Sequence, residues 1–539
     1  MSKQKVIMIL GGGIMQLPAI RTARVSGWRV IVAAKEMCPE AAELADHLEY
    51  VDLRSLSSII CVARKYRQKY GLDGVFTAGT DFSITVARTA EEMGLPGISF
   101  ETAFAATNKA KMRALFAEHR LPSPRFYAIT SLKDCREAAA NLSFPVVVKP
   151  VDNMGARGVR RIDIKEELTT AAEEAMEHSA AAEVIVEEYL QGDELSLDAV
   201  VYSGKITICG VADRKIRFAP YFVEMGHTIP TAIDEQLADR VVNLFKRGIR
   251  ALGINLGAAK GDIRLTPEGP VIGEIAARLS GGYMSGWTYP YSSGVEVTRA
   301  ALNIAVGLPP GELKPLAGRT SAERAFISIP GVISSIEGVS TAERVQGIKN
   351  IFLRTTPGSQ VIFPTNNMEK CGNIISCADT RSEAVELAEK ASQSIFLRLA
   401  PDNRDTESFL FGKKGESAYS ITERENISAL KALPPVIEPH AEKSSGIAVI
   451  SLPALEREKG KDWHELPIFT AFQRALAISG ACLRKEAAPD KLNLGSLFWR
   501  VFQKGGVQGA VYLIETINAL EDKPEQLRKI VRSKLPFQP

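Results

Sequence analysis

The sequence has 539 residues, 66 Lys and Arg against 63 Asp and Glu, and a 45% hydrophobic and 24% charged composition. At about 150 residues per domain that length calls for three to four domains, and the ordinary composition excludes a disordered, collagenous or coiled-coil chain. A formal net charge of +3 gives no whole-chain field for gathering nucleic acid or an anionic membrane. Seven scattered cysteines with no C-x-x-C pair argue against a disulfide framework or structural zinc and for a reducing cytoplasm. The apolar run 6–10 ends at three glycines, too short for a signal or membrane-spanning segment.

In chain order, 6–10 reads as a buried strand, 19–26 as a helix, 30–34 as a strand, 57–70 as a helix, 74–77 as a strand and 84–93 as a helix. This repeated βαβ pattern predicts an N-terminal doubly wound parallel sheet over 1–120. A helix at 109–119 is followed by Leu121-Pro122-Ser123-Pro124, a break that marks a boundary. Strands at 144–149, 159–164, 184–188, 195–202 and 205–212, with helices at 165–178 and 235–252, predict an α+β domain over 121–315. In the last of these helices Val242, Phe245, Ile249 and Leu252 have the spacing of a core stripe.

A β-rich stretch over 316–400 closes with a predicted helix at 381–399, and 401–446 is polar and aperiodic, as a linker would be. A last α/β module, 447–539, carries a strand at 447–452 and helices at 468–479 and 509–520. Trp463, Phe469, Phe472, Phe498 and Trp499 supply aromatic area for a small core or a partner surface, core being the default.

Gly11-Gly12-Gly13 follows a strand and precedes a helix, the setting of a phosphate-binding turn. The dinucleotide pattern G-x-G-x-x-G needs glycine at position 16, where this chain has Gln16, and the strand 30–34 runs into Lys35 instead of an acid. The turn therefore reads as structural or substrate-facing.

Nucleotide chemistry gathers further on. Lys149 ends a strand, and Asn153-Met154-Gly155-Ala156-Arg157-Gly158-Val159 forms a loop whose backbone N–H groups could meet phosphates. Glu187, Glu188, Tyr189 and Leu190 end another strand, with Glu194 after the turn, an edge suited to a purine and a ribose. Two strands, 260–265 and 271–275, form a hairpin on which Asp262 and Glu274 face each other as hard oxygen ligands. Arg214, Lys215 and Arg217 could reach the phosphates or the substrate, but read first as a solvated charged strand end.

This order of lysine, glycine loop, acidic strand end and acidic hairpin followed by Arg278 resembles the ATP-grasp superfamily, and most of all its carboxylate–amine ligases such as the L-amino acid ligases. The resemblance spans about 5–399. It implies that Lys109 and Lys149 bind phosphates, that Gly155, Arg157 and Gly158 belong to the loop closing over the β- and γ-phosphates, and that 187–190 holds adenine. It further implies Glu194 on the ribose, Asp262 and Glu274 on Mg²⁺ (or Mn²⁺), and Arg278 steadying the transferring phosphate. His227 would orient a carboxylate or amine, a hydrogen-bonded loop histidine being the equal alternative.

The family's usual Asn two residues after the second acid is Ala276 here, which cannot ligate a metal; waters or Asp262 would complete a second shell, or metal binding would be weaker. The implied activity is ATP-dependent ligation of small-molecule carboxylate and amine substrates through an acyl phosphate, by a cytoplasmic protein of which a homodimer is the analogous state, without nucleic-acid or membrane partners. Activation of bicarbonate or of a purine-biosynthesis intermediate, or a regulatory nucleotide-binding role with weakened catalysis, stay open as alternatives.

Overall fold

A computed structural model describes residues 3–412, 460–480 and 494–519. The expected strand at 447–452 and most of the expected linker lie outside the described residues, although a helix, Arg404–Phe411, occupies the linker's start. The chain divides into two compact units, one of residues 1–323, 365–367 and 375–385, the other of 324–364, 368–374 and 386–539. No described helix is long and apolar enough to cross a membrane.

The first unit opens with a parallel sheet in the order His47–Tyr50, Arg29–Met37, Val6–Gly12, Gly74–Phe76. Every residue of Val6–Gly12 is buried because both faces are covered. Ile7 and Ile9 pack beneath helices Leu17–Val25 and Val297–Ala305, while Val6, Met8 and Leu10 pack against Leu56–Tyr70 and Ser83–Met93. The doubly wound expectation holds; the half-exposed edge strand His47–Tyr50 and the short helices Pro39–Leu44 and Phe100–Ala105 carried too little periodicity to be foreseen.

A second sheet, antiparallel, runs Phe126–Ile129, Val184–Glu188, Val146–Pro150, Arg160–Ile162. Helices Leu132–Asn141 and Leu168–Glu177 cover one face. The first of these buries Cys135 and Ala138, with Leu142 just after its end, too thin an apolar row to announce a helix.

The third sheet of this unit runs Gly269–Ala276, Gly257–Thr266, Asp193–Tyr202, Lys205–Arg217, Val223–Ile229 and continues through 320–323 and 375–378. Helix Glu235–Ala251, capped by the Asp234 side chain on Leu237 N, lays Val241, Leu244, Phe245 and Ile249 against it. Val242, expected in that row, is only partly buried beside it. A Cβ on Gly261 would lie 2.5 Å from Phe245 Cε2, so glycine is what lets this helix close on the strand. Because side chains alternate, Lys260 and Asp262 then face the other side of the sheet.

In the second unit Gly331–Glu337 pairs with Gln360–Val361 and with Phe396–Leu399. The helix expected over 381–399 therefore stops at Ser394; Phe396, Leu397 and Leu399 are buried as strand residues instead, their apolar density having passed for helical periodicity. Helix Ile468–Ser479 packs on Gly495–Asn518, which bends at Gly506 (φ 56°, ψ −145°). Phe472, Phe498, Trp499 and Phe502 form one buried cluster with ring centroids 5.0–6.4 Å apart. Trp463 is buried as well, and Phe469 partly, so the expected aromatic core exists.

Candidate active site

Lys149 stands near the end of Val146–Pro150, and the neighbouring strand sets Glu187 beside it through the Val147–Glu187 register pair. Lys149 Nζ donates to Glu187 Oε2 (2.6 Å) and Arg113 Nε donates to Oε1 (2.6 Å). Burial pushes the Glu187 carboxyl up, but the charges of Arg113 and then Lys149 outweigh it and hold it at about 2. Arg113 also donates to Gly273 O, tying helix Lys109–Glu118 to the acidic hairpin. Of the expected adenine segment, Glu187 thus turns its side chain inward as an anchor. Glu188 accepts from Arg125 N (3.0 Å) and Nε (3.1 Å), and Arg161 lies 4.6 Å over the Tyr189 ring; Leu190 follows, partly exposed.

Asn108 caps the helix that carries Lys109, accepting from Lys111 N. The buried Lys109 Nζ donates to Asn153 O (2.8 Å), at the root of the glycine loop, and lies 3.8 Å from Glu274. In that loop Gly155, Ala156 and Gly158 all have positive φ, and Arg157 Nε folds back onto Met154 O (3.1 Å). Asn367 joins the loop to the strand Val223–Ile229, its N donating to Gly155 O (3.0 Å) and its Oδ1 accepting from Glu224 N (2.8 Å). A Cβ on Gly158 (φ +70°) would meet His178 Cδ2 and Pro150 Cγ at 2.9 Å, whereas one on Gly155 (φ +68°) meets nothing nearer than 4.0 Å. Gly158→Ala is expected to destabilise by about 1–3 kcal/mol, and Gly155→Ala by about 1 kcal/mol or less, measured by urea denaturation.

Asp262 and Glu274 are register partners across the hairpin Gly257–Thr266/Gly269–Ala276. Asp262 Oδ2 is bonded by Lys260 Nζ and lies 3.1 Å from Arg214 Nη1, while its buried Oδ1 has no hydrogen-bond partner among the described residues. Burial raises this carboxyl, and Arg214 and then Lys260 pull it below its usual value. Arg214 is not the solvated strand-end residue expected. Its guanidinium also bonds Glu194 and Glu224 (2.7 Å to Glu224), because acids from the neighbouring strands converge on it, and its side chain is only 12% exposed. Glu194 additionally accepts from Arg264 Nη2 (2.5 Å).

Arg278 reaches back to the parallel sheet. Its Nη2 and Nε lie 2.8 and 3.2 Å from Asp81 Oδ1, and Nη1 donates to Leu279 O. Asp81 follows the strand Gly74–Phe76 at its carboxyl end, the side where doubly wound sheets meet ligands. Burial raises its carboxyl, but Arg278, then Lys109 and Lys260, hold it low. The chain after Arg278 is pinned by buried Asp198, which accepts from Ser280 N (3.1 Å), Ser280 Oγ (2.8 Å) and Ser285 Oγ (2.8 Å). Burial pushes Asp198 up to about 6 in spite of these bonds. Gly281 then abuts Gly79 so closely that a Cβ on it would lie 3.3 Å from Gly79 O.

His227 sits on the strand Val223–Ile229 and is fully buried, so it is no loop histidine. Its Nε2 lies 2.8 Å from Thr288 Oγ1, and its Nδ1 3.4 Å from Glu323 Oε2 and 3.7 Å from Glu224 Oε1. Burial lowers its pKa, yet Glu224 and Glu323 raise it overall. At the N-terminal glycines, Gln16 Oε1 accepts from Gly13 N (3.1 Å) and its Nε2 donates to Ala78 O (2.5 Å). The side chain lies where a Cβ on Gly11 would be, 2.7 Å from Gln16 Cδ, and so fills the turn with protein.

Residues 142–286, which contain most of these groups, match the family model described as "ATP-grasp domain". The chain carries an ATP-grasp domain. Residues 325–400 match a second model, "L-amino acid ligase C-terminal domain 2". Among curated proteins the chain is 26% identical over 377 residues to an uncharacterized protein of Sinorhizobium fredii, covering 67% of this chain and 75% of that one. It is 21% identical over 377 residues to the L-arginine-specific L-amino acid ligase of Bacillus subtilis, covering 68% and 90%. Among solved structures, the L-amino acid ligase from Bacillus licheniformis shares its fold at a TM-score of 0.66 and 22% identity, over 74% of this chain and all of that one. The ATP-grasp domain runs through the second and third sheets of the first unit, and Arg113, Lys109 and Asp81, which serve its acids and Arg278, come from outside the matched residues.

Proposed function

We propose that the protein is an ATP-dependent carboxylate–amine ligase acting on L-amino acids. The observation that carries this reading is the convergence, in one unit, of Lys109 on Glu274, Lys149 on Glu187, and Arg278 on Asp81 around the Asp262/Glu274 hairpin. A carboxylate oxygen attacks the γ-phosphate, giving an acyl phosphate and ADP, and an amine then displaces phosphate. Lys109, Lys149, Arg278 and the N–H groups of the loop with Gly155, Arg157 and Gly158 hold and neutralise the phosphates. The main chain of 187–190 receives adenine and Glu194 the ribose.

The Oδ1 of Asp262, without a hydrogen-bond partner among the described residues, and the carboxylate of Glu274 fit one divalent cation, Mg²⁺ or Mn²⁺, which when bound neutralises phosphate charge. Glu224, Glu323 and the cationic tendency of His227 suit the ammonium and carboxylate of an amino acid. The loop tied by Asn367 shields the acyl phosphate from water. Free thiols at Cys38, Cys61, Cys135, Cys209, Cys371 and Cys377 accord with a cytoplasmic setting.

Purified protein with ATP, Mg²⁺ and paired L-amino acids is expected to release ADP and phosphate and to form a peptide bond, and Lys149→Ala to abolish it. No ADP above background across all pairs would sink the reading.

A further inference from the structure

The two acids of the hairpin are not equivalent. Among the described residues Glu274 has one ion pair, with Lys109 at 3.8 Å, and its side chain is 28% exposed. Asp262 has one oxygen held by two cations, Lys260 and Arg214, and one oxygen free of hydrogen bonds among the described residues. Two residues beyond Glu274, on the same face of the strand, stands Ala276, whose methyl group offers no lone pair. Its register partner across the hairpin is Lys260. The position from which a third oxygen could serve a second metal is therefore a methyl group, and the residue opposite it, Lys260, turns its ammonium to Asp262. Among the described residues no three His, Cys, Asp or Glu side chains are grouped to hold a metal.

Two cations sharing a polyphosphate need hard oxygens with lone pairs turned to both. Here the Asp262 oxygen that would bridge is bonded to Lys260, a compact charge with three donors whose side chain is 14% exposed. We infer that this centre takes a single divalent cation with its nucleotide, on Asp262 Oδ1 and Glu274, and that Lys260 is a built-in cation in the place of a second. The inference rests on the nucleotide reading above.

The test is a count. Full-length protein saturated with a non-hydrolysable ATP analogue is titrated with Mn²⁺, and bound metal is read from the loss of the free-ion electron paramagnetic resonance signal, with nucleotide occupancy followed by calorimetry. One Mn²⁺ per bound nucleotide is expected for the native chain, and two for Lys260→Met/Ala276→Asn and for the milder Lys260→Gln/Ala276→Asn. Nucleotide bound with two Mn²⁺ on the native chain overturns the inference and leaves the ligase reading standing. Both double variants staying at one Mn²⁺ per bound nucleotide overturns the role of Lys260. A native chain that binds no nucleotide overturns the ligase reading and the inference with it.

Discussion

Glu187→Gln is expected to cost about 3–5 kcal/mol of stability at neutral pH, the largest loss foreseen for any single change in the first unit. The amide keeps the shape but leaves the buried Arg113 guanidinium and the Lys149 ammonium without their shared counter-charge. Urea denaturation at several pH values checks this. The native carboxyl has its pKa held at about 2, below its usual 4.5, so its contribution, about 3 kcal/mol, is present above the usual value and is lost as pH falls from 4.5 toward 2. The gap between native and variant protein should therefore be wide at pH 7 and close through that acidic window. A gap that stays constant with pH would show that packing, not charge, holds the triad.

Arg278→Ala is expected to lower the rate of ADP release about 10³-fold or more, with ATP affinity changed far less, since on the reading proposed above this arginine's charge counts most when the phosphoryl group is in transit. Arg278→Lys keeps a charge but loses the guanidinium fork that meets Asp81 with two nitrogens, and should recover only part of the rate. Asp81→Asn, which removes the partner and leaves the arginine in place, should fall between native and Arg278→Ala. Steady-state ADP release, with calorimetry of nucleotide binding, separates these outcomes. Loss of ATP affinity matching the loss of rate would make Arg278 a binding group only.

Much of this site can be read along the chain because its groups sit on strands whose apolar runs are plain, and because the hairpin is local. Asp262 and Glu274 are 12 residues apart, and a turn at 266–269 suffices to make them face each other. The partners were hidden for the opposite reason. Arg113 meets Glu187 across 74 positions and Asp81 meets Arg278 across 197, and no periodicity encodes such pairings. Arg214 looked solvated because its own strand end is basic; only the neighbouring strands supply the acids that bury it. The loss of a ligand oxygen at Ala276 was visible in the sequence, but that Lys260 stands opposite needed the register of the hairpin. The helix expected over 381–399 ended early because Phe396–Leu399 finds a strand partner 60 residues back, information that local pattern does not hold.

The first unit is not one continuous stretch of chain: residues 365–367 and 375–385 return to it after an excursion of some forty residues. Asn367, on the shorter of these returns, is the residue that bonds both Gly155 and Glu224. A fragment cut after Glu323 would thus keep Lys109, Lys149 and both hairpin acids yet lack the tether on its glycine loop. Swapping the downstream half between related chains is for the same reason no simple modular exchange, since residues 365–367 and 375–385 of the donor would become part of the recipient's first unit.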